Sequence, residues 1–85
     1  MNSYIVVFET EVSEEAFREY LKSLSEWGRL TKTAYVVKTA KSASEIRDDL
    51  HDLKAPGDRI AVVKSGYVAA WSNARADNDW LKKNL

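Results

Sequence analysis

The sequence predicts a single α+β domain whose elements follow one another as strand, helix, strand, strand, helix, strand. Three apolar runs rich in β-branched and aromatic residues support this prediction, because such runs are typical of buried strands. They lie at Tyr4–Phe8, Thr33–Val37 and Ile60–Val63, and helical patterns fill the intervals. The first run suits a central strand buried on both faces. This order is the split βαβ unit of the ferredoxin-like fold, with an antiparallel four-stranded sheet.

The first helix is predicted to begin after Ser13 and to end near Gly28. Serine is a favourable N-cap, and glycine commonly follows the last turn of a helix. Between them, apolar residues recur at the spacing of one helical face, namely Phe17, Tyr20, Leu21 and Leu24. This stripe predicts an amphipathic helix packed on the sheet.

The second helix has a stronger start signal. Ser42 and Glu45 have the spacing of a capping box, in which each side chain accepts a hydrogen bond from the other residue's backbone amide. The predicted buried stripe of this helix consists of Ile46, Leu50 and Leu53. Pro56-Gly57-Asp58 then predicts a turn into the last strand of the core.

The segment 65–85 forms a tail that a four-stranded core over 1–64 does not require. Tyr67–Trp71 is predicted to be a short extra strand, and Trp80, Leu81 and Leu85 indicate a short C-terminal helix with Asp77 as its cap. A core this small has little surface with which to cover large aromatic rings. We therefore expect the tail to contact a second subunit, in a homodimer interface that includes Tyr67, Trp71 and Trp80.

Composition narrows the possible functions. The chain has 85 residues, too few for more than one domain, and it has no cysteine, which excludes disulfides, thiolate metal sites and cysteine nucleophiles. No apolar run is long enough to span a membrane, and no basic flank precedes an apolar stretch as in a signal peptide. We expect a soluble, cytoplasmic protein without a membrane partner.

The formal net charge is zero, but it is unevenly distributed along the chain. Residues 1–26 carry six acidic and two basic side chains, whereas residues 27–85 carry eleven basic and seven acidic ones. Between Trp27 and Lys41 the charged side chains are all cationic, namely Arg29, Lys32, Lys38 and Lys41. This hairpin is either a solvated sheet edge protected by its cations or a weak contact for nucleic-acid phosphates.

Three segments resemble one family. The run from Lys38 to Leu50 (KTAKSASEIRDDL), the Gly66-x-x-x-Ala70-Trp71 element and the closing Trp80-Leu81-Lys82 are similar to small bacterial proteins described as SinR-like. These are related in fold to the CRISPR-associated adaptation nuclease and to the virulence-associated protein D (VapD) ribonucleases. The resemblance implies a ferredoxin-like homodimer that contacts nucleic acid.

The same resemblance points to one candidate catalytic position. The CRISPR-associated relatives hold a divalent metal with an aspartate at the end of the first strand, paired across the dimer. Glu9 occupies that position here, and Glu11 supplies a second carboxylate two residues later. Carboxylate oxygens suit Mg²⁺ or Mn²⁺, although the longer glutamate side chain moves them outward. The alternative is that both glutamates are solvated residues between a strand and a helix.

Two classes of function therefore remain. The favoured one is a non-catalytic homodimeric module that contacts nucleic acid or another protein and has no cofactor. The other is a metal-dependent endonuclease centred on paired Glu9, the only case in which Mg²⁺ or Mn²⁺ is expected. A metal-independent, toxin-like ribonuclease has no residues in its favour, since the single His51 lies in no nucleophile pattern.

Overall fold

A computed structural model describes residues 1–65 and 76–84. Its elements in chain order are β1 (Asn2–Glu9), α1 (Glu14–Lys22), β2 (Glu26–Thr31), β3 (Ala34–Thr39), α2 (Ala43–Leu53), β4 (Arg59–Lys64) and α3 (Asn78–Asn84). The predicted alternation of strands and helices is confirmed over the first 64 residues. The predicted extra strand at Tyr67–Trp71 lies outside the described residues.

The four strands form one antiparallel sheet in the order β2-β3-β1-β4. β1 pairs with β4 without interruption from Tyr4 opposite Lys64 to Glu9 opposite Arg59. The pairing of β2 with β3 is irregular, because its register shifts between Arg29 and Thr31. Among the described strands, β2 and β4 are thus the two edges of the sheet, and of these two only β2 has a register shift.

The core lies between the sheet and the helices α1 and α2. Alternate residues of β1 and β3 point to this helix side, as the period of two in a strand requires. They pack with the apolar stripes of the two helices in one buried cluster: Tyr4, Val6, Phe8, Tyr35, Val37, Phe17, Leu21, Ile46 and Leu50. The predicted stripe of α2 is wrong at one position, since Leu53 is 41% exposed at the end of the helix.

α1 is shorter than the sequence suggests. It ends at Lys22, and Gly28 lies in β2 opposite Val36 instead of closing the helix. Ser13 does occupy the N-cap position but makes no side-chain cap hydrogen bond. The prediction failed because the apolar period continues through Leu24, which packs on the core from the connection that follows α1.

The start of α2 and the turn after it agree with the prediction. The Ser42 hydroxyl accepts from the Glu45 amide at 3.2 Å, and a Glu45 carboxylate oxygen accepts from the Ser42 amide at 3.0 Å. Gly57 has a φ of +90°, a conformation that glycine adopts at little cost. Asp58 closes this turn by accepting from the Ala55 amide at 2.9 Å.

The sheet face opposite α1 and α2, here called the outer face, is only partly covered. Val36 and Leu81 are completely buried, although neither belongs to the cluster on the helix side. Val7 in β1 and Val63 in β4, by contrast, are 42% and 57% exposed. The expectation that the first strand is buried on both faces is therefore wrong on the outer side. Among the described residues, no helix is long and apolar enough to cross a membrane.

Candidate functional site

The two candidate metal ligands lie at one end of the sheet. Glu9 ends β1 and Glu11 follows in the connection to α1; both are exposed and line one depression of about 580 Å³. Its other walls come from the β1–α1 connection and the turn before β4: Thr10, Val12, Ala55, Pro56, Gly57 and Asp58. The structure thus brings Glu9 and Glu11 to the same hollow, as the strand-end position of both residues suggested.

Hydrogen bonds fix the walls of this hollow. The Thr10 hydroxyl accepts from the amide of Ser13 at 2.9 Å and from that of Val12 at 3.3 Å. Partial desolvation opposes ionisation of Asp58, but hydrogen bonds from Thr10, Ala55 and Ser13 outweigh it and lower the pKa of that carboxyl. Asp58 therefore ties the β1–α1 connection to the turn before β4. The sequence alone indicates only the turn role of Asp58, because Thr10 and Ser13 lie some 45 residues earlier in the chain.

The carboxylate of Glu9 has a partner within the chain. Arg59, directly opposite in β4, places its guanidinium 3.4 Å from a Glu9 oxygen, and both side chains are largely exposed. Within residues 1–65 and 76–84, no three acidic or histidine side chains group as a metal site. Asp58, the third carboxylate that lines the hollow, is engaged by Thr10, Ala55 and Ser13. Glu9 and Glu11 would therefore supply the carboxylate oxygens to a hard cation here, with the remaining ligands coming from water.

The four cations of the hairpin do not form one surface. Lys32 is exposed in the turn between β2 and β3, and the neighbouring Arg29 donates to the carbonyls of Lys32 at 3.1 Å and Thr31 at 3.2 Å. Lys38 lies four residues beyond Ala34 on β3, so it is about 13 Å from the turn. Only the Arg29–Lys32 pair clusters at the hairpin tip.

Three of these four cations also have acidic partners. Arg29 lies 3.8 Å from Glu14 and Lys38 lies 4.0 Å from Glu26, whereas Lys41 makes a close 2.6 Å contact with Asp49. Lys38 is on the outer face, while Arg29 and Lys41 are on the helix side, where they lie over the rings of Tyr35 and Tyr20 respectively. The fourth cation, Lys32, has no acidic partner among the described residues.

The structure shows a pairing of Asp49 with Tyr20 and Lys41 that was not predicted from the sequence. One carboxylate oxygen accepts from the Tyr20 hydroxyl at 2.5 Å and from the Lys41 ammonium at 2.6 Å. The hydrogen bond from Lys41, followed by that from Tyr20, lowers the pKa of Asp49, and the same bond raises the pKa of Lys41. Burial and the bond to Asp49 raise the pKa of the Tyr20 phenol well above its usual range. This triad joins α1, α2 and the connection before α2.

On the outer face, α3 covers the half formed by β2 and β3. A Cβ atom on Gly28 would lie 2.9 Å from the ring of Trp80 and 3.1 Å from Ala76, so the absence of a side chain lets α3 approach. The Trp80 indole N–H donates to Glu26 at 3.2 Å, and Glu26 also faces Lys38. Trp80, which we predicted to lie in a dimer interface, thus packs on the sheet of its own chain.

The start of α3 follows the prediction. The Asp77 carboxylate accepts from the Trp80 amide at 3.0 Å, and its carbonyl accepts from the Leu81 amide at 3.0 Å. This is the N-cap geometry that an aspartate provides at a helix start. Tyr67 and Trp71, the other predicted interface residues, lie outside the described residues.

The outer half formed by β1 and β4 has a different character. Its side chains are Ile5 and Val7 from β1 and Ala61 and Val63 from β4, paired directly across the two strands. Val7 and Ala61 also line a shallow depression of about 370 Å³ that ends at the Glu9–Arg59 ion pair. These four side chains form an apolar strip that extends from β1 onto the edge strand β4.

Comparisons with protein-family models, with curated proteins and with solved structures gave no match to this chain. The SinR-like resemblance therefore stays a prediction that rests on the three segments quoted above.

Proposed function

We propose that this chain is a small, non-catalytic, homodimeric interaction module with the ferredoxin-like fold. Support for the fold comes from the order β1-α1-β2-β3-α2-β4, the antiparallel pairing and the placement of α1 and α2 on one face. The three segments that resemble SinR-like proteins support a place in the superfamily of the CRISPR adaptation and VapD-like proteins.

The observation that carries the homodimer is the apolar strip of Ile5, Val7, Ala61 and Val63 on β1 and β4, in which all but the half-buried Ile5 are exposed. Contiguous exposed apolar surface commonly marks an interaction site. The strip includes residues of the edge strand β4, and an isologous dimer brings two identical patches together. A second copy therefore offers the strip a matching apolar surface without any charged side chain at its centre.

Sedimentation of the full chain tests this proposal. At micromolar concentration we expect twice the chain mass, and Val63→Lys should yield the monomer because it places a charge in the strip. Val12→Lys is the matched control, since Val12 is 77% exposed in the connection between β1 and α1, outside the strip, and should leave the dimer intact. A wild-type monomer would contradict the proposal.

We also propose that the module contacts nucleic acid weakly, through the hairpin tip. Lys32 and Arg29 lie together there, and Arg29 is only loosely paired, 3.8 Å from Glu14, whereas Lys38 and Lys41 lie beside carboxylates away from the tip. Two phosphate contacts give a slope of about −1.4 to −1.8 in log affinity against log salt. Replacing Arg29 and Lys32 with serine should remove binding to single-stranded and duplex oligonucleotides, while serine at Lys38 and Lys41 should not.

A divalent-metal-dependent endonuclease is the second candidate, because Glu9 and Glu11 share one hollow. In that case a metal ion would have to draw Glu9 away from Arg59, and the remaining ligands would be water or substrate oxygens. Cleavage of RNA or DNA that requires Mg²⁺ or Mn²⁺ and disappears in Glu9→Gln would favour this candidate over the non-catalytic module.

A further inference from the structure

The hydrogen-bond pattern of β4 determines which of its backbone groups point away from β1, toward the side where the described residues form no further strand. The Ser65 amide donates to the Ser3 carbonyl at 2.9 Å, which makes these directly opposed residues a hydrogen-bonded pair. In an antiparallel ladder such pairs alternate with non-bonded ones. Val63, Ala61 and Arg59 therefore bond toward β1, and the groups that point away from β1 belong to Ile60, Val62 and Lys64.

These three residues form a self-complementary row. We propose that two copies of this chain pair β4 against β4 in antiparallel fashion, with the twofold axis at Val62, and so form a continuous eight-stranded sheet. This inference rests on the proposed homodimer and specifies its contact. In this register Val62 faces its own copy and Ile60 faces Lys64 of the second copy, so that all outward amides and carbonyls of the row are paired.

Neighbouring registers satisfy fewer backbone groups. With the axis at Ala61, Lys64 would face Asp58, whose amide is already bonded to the Ala55 carbonyl in the turn. With the axis at Val63, Ile60 would face a position beyond the end of β4. Each alternative keeps two hydrogen-bonded pairs within the strands instead of three. The axis at Val62 therefore gives the largest number of interchain backbone hydrogen bonds.

The side chains favour the same register. On the outer face, Ala61 of each copy lies opposite Val63 of the other, which joins the two apolar strips across the axis. On the helix side, Val62 and Ile60 are half-buried and pack against the core cluster, so the second copy extends that cluster. Each Lys64 faces an isoleucine, and the two ammonium groups lie about four residues, or ~13 Å, apart along the strands.

β2 does not offer an equivalent edge. Its register shifts between Arg29 and Thr31, and a bulge of this kind interrupts the regular row of backbone groups that strand addition needs. Trp27 and Arg29 also place a bulky ring and a charge beside that edge, with the Lys22 ammonium 5.0 Å from the Trp27 ring. β4 is thus the edge that fits a second copy.

Cysteine cross-linking tests the register, and the chain provides a clean background because it has no cysteine. Ala61 and Val63 of the other copy would form a non-hydrogen-bonded pair with Cα atoms about 4.5 Å apart, within the range that a disulfide spans. Two copies of the same residue would lie diagonally, about 7–8 Å apart. We expect a mixture of Ala61→Cys and Val63→Cys chains to cross-link under oxidation, while each variant alone stays at background.

Each outcome has a defined meaning. Cross-linking of Ala61→Cys alone places the axis at Ala61, and cross-linking of Val63→Cys alone places it at Val63; either overturns the proposed register. A dimer by sedimentation that never cross-links overturns the β4 contact but leaves the homodimer standing, whereas a wild-type monomer overturns both. Val12→Cys, in the connection between β1 and α1 and 77% exposed, gives the background from random collision.

Discussion

On the outer face of the sheet, Val36 in the β2–β3 half is completely buried, whereas Val63 in the β1–β4 half keeps 57% of its surface exposed. Both are valines in regular strands, so neither residue type nor strand propensity explains the difference. What differs is the neighbour: α3 lies over Gly28, the partner of Val36 in β2, and this approach depends on a position without a side chain. Coverage of a sheet face is thus decided by whether another element can approach it.

The edges differ in the same way. β2 belongs to the half of the outer face that α3 covers, here called the covered half. It carries a register shift, which limits pairing with a further strand. β4 belongs to the other half, formed with β1 and here called the exposed half, and it pairs with β1 regularly over its full length. The half of the molecule that lacks a covering helix among the described residues is therefore also the half with the edge better suited to pairing.

The largest expected effect on stability comes from removing a buried side chain in the covered half. Val36→Ala should lower the free energy of unfolding by about 2 kcal/mol, because it removes buried methyl groups and leaves a cavity under α3. Val63→Ala removes the same atoms from an exposed site and should change the stability of the monomer by less than about 0.5 kcal/mol. Urea denaturation of both variants below the dimerisation range measures the contrast, and equal losses would contradict it.

The next effect comes from crowding the covered half. Gly28→Ala places a methyl group 2.9 Å from the Trp80 ring, so α3 has to shift, and we expect a loss of about 1–2 kcal/mol. Ala61→Val adds volume to the exposed half and should be nearly neutral. Denaturation midpoints report the loss, and loss of protection of the Leu81 amide in hydrogen exchange would show that α3 has moved. An unchanged Gly28→Ala protein would mean that α3 does not depend on this close approach.

A change on the helix side should leave the outer face unaffected. Asp49→Asn breaks the contacts with Tyr20 and Lys41, and it removes a carboxyl whose pKa is lowered by folding. A lowered pKa contributes stability above the unfolded value near 4, and this contribution is lost as the pH falls through the folded value. The variant should therefore be less stable than wild type at pH 7, and the difference should shrink below about pH 4.

Thermal melts between pH 2 and pH 7 measure this difference. Asp48→Asn is the matched control, because among the described residues Asp48 pairs with the adjacent Arg47 alone, at an exposed position. A difference between Asp49→Asn and wild type that persists at pH 2 would show that the loss comes from packing and not from the charge.

The smallest effect is expected at the rim of the exposed half. Glu9→Gln removes an exposed ion pair with Arg59 and should change stability by a few tenths of a kcal/mol. In a non-catalytic module, Mg²⁺ or Mn²⁺ leaves the melting temperature of both proteins unchanged. A metal-dependent rise that is present in wild type and absent in Glu9→Gln would instead support the endonuclease.

The sequence predicted local features more reliably than contacts between distant elements. The capping box of Ser42 and Glu45, the turn at Gly57 and the Asp77 cap were predictable because each lies within a few residues of chain. Gly28 was assigned to a helix end because its actual constraint, the Trp80 ring, lies about fifty residues later. The sequence placed Glu9 and Glu11 at a strand end, but the pairing with Arg59 depends on strand register.

The same limit applied to the basic hairpin. Four cations close in sequence suggested one patch, yet strand alternation put Lys38 on the outer face and the chain's return into α2 put Lys41 beside Asp49. Sequence proximity in a hairpin does not imply a common face, because side chains alternate and the strands extend the separation.

Hydrogen exchange at the two sheet edges tests the central claim most directly. The backbone amides of Ile60, Val62 and Lys64 in β4 point away from β1. Those of Trp27 and Arg29 in β2 point away from β3, as the Phe8–Thr33 hydrogen bond and the strand registers require. We expect protection of the three β4 amides to rise with protein concentration, while the two β2 amides exchange rapidly at every concentration. Protection at β4 that does not depend on concentration, or none at all, would contradict pairing through this edge.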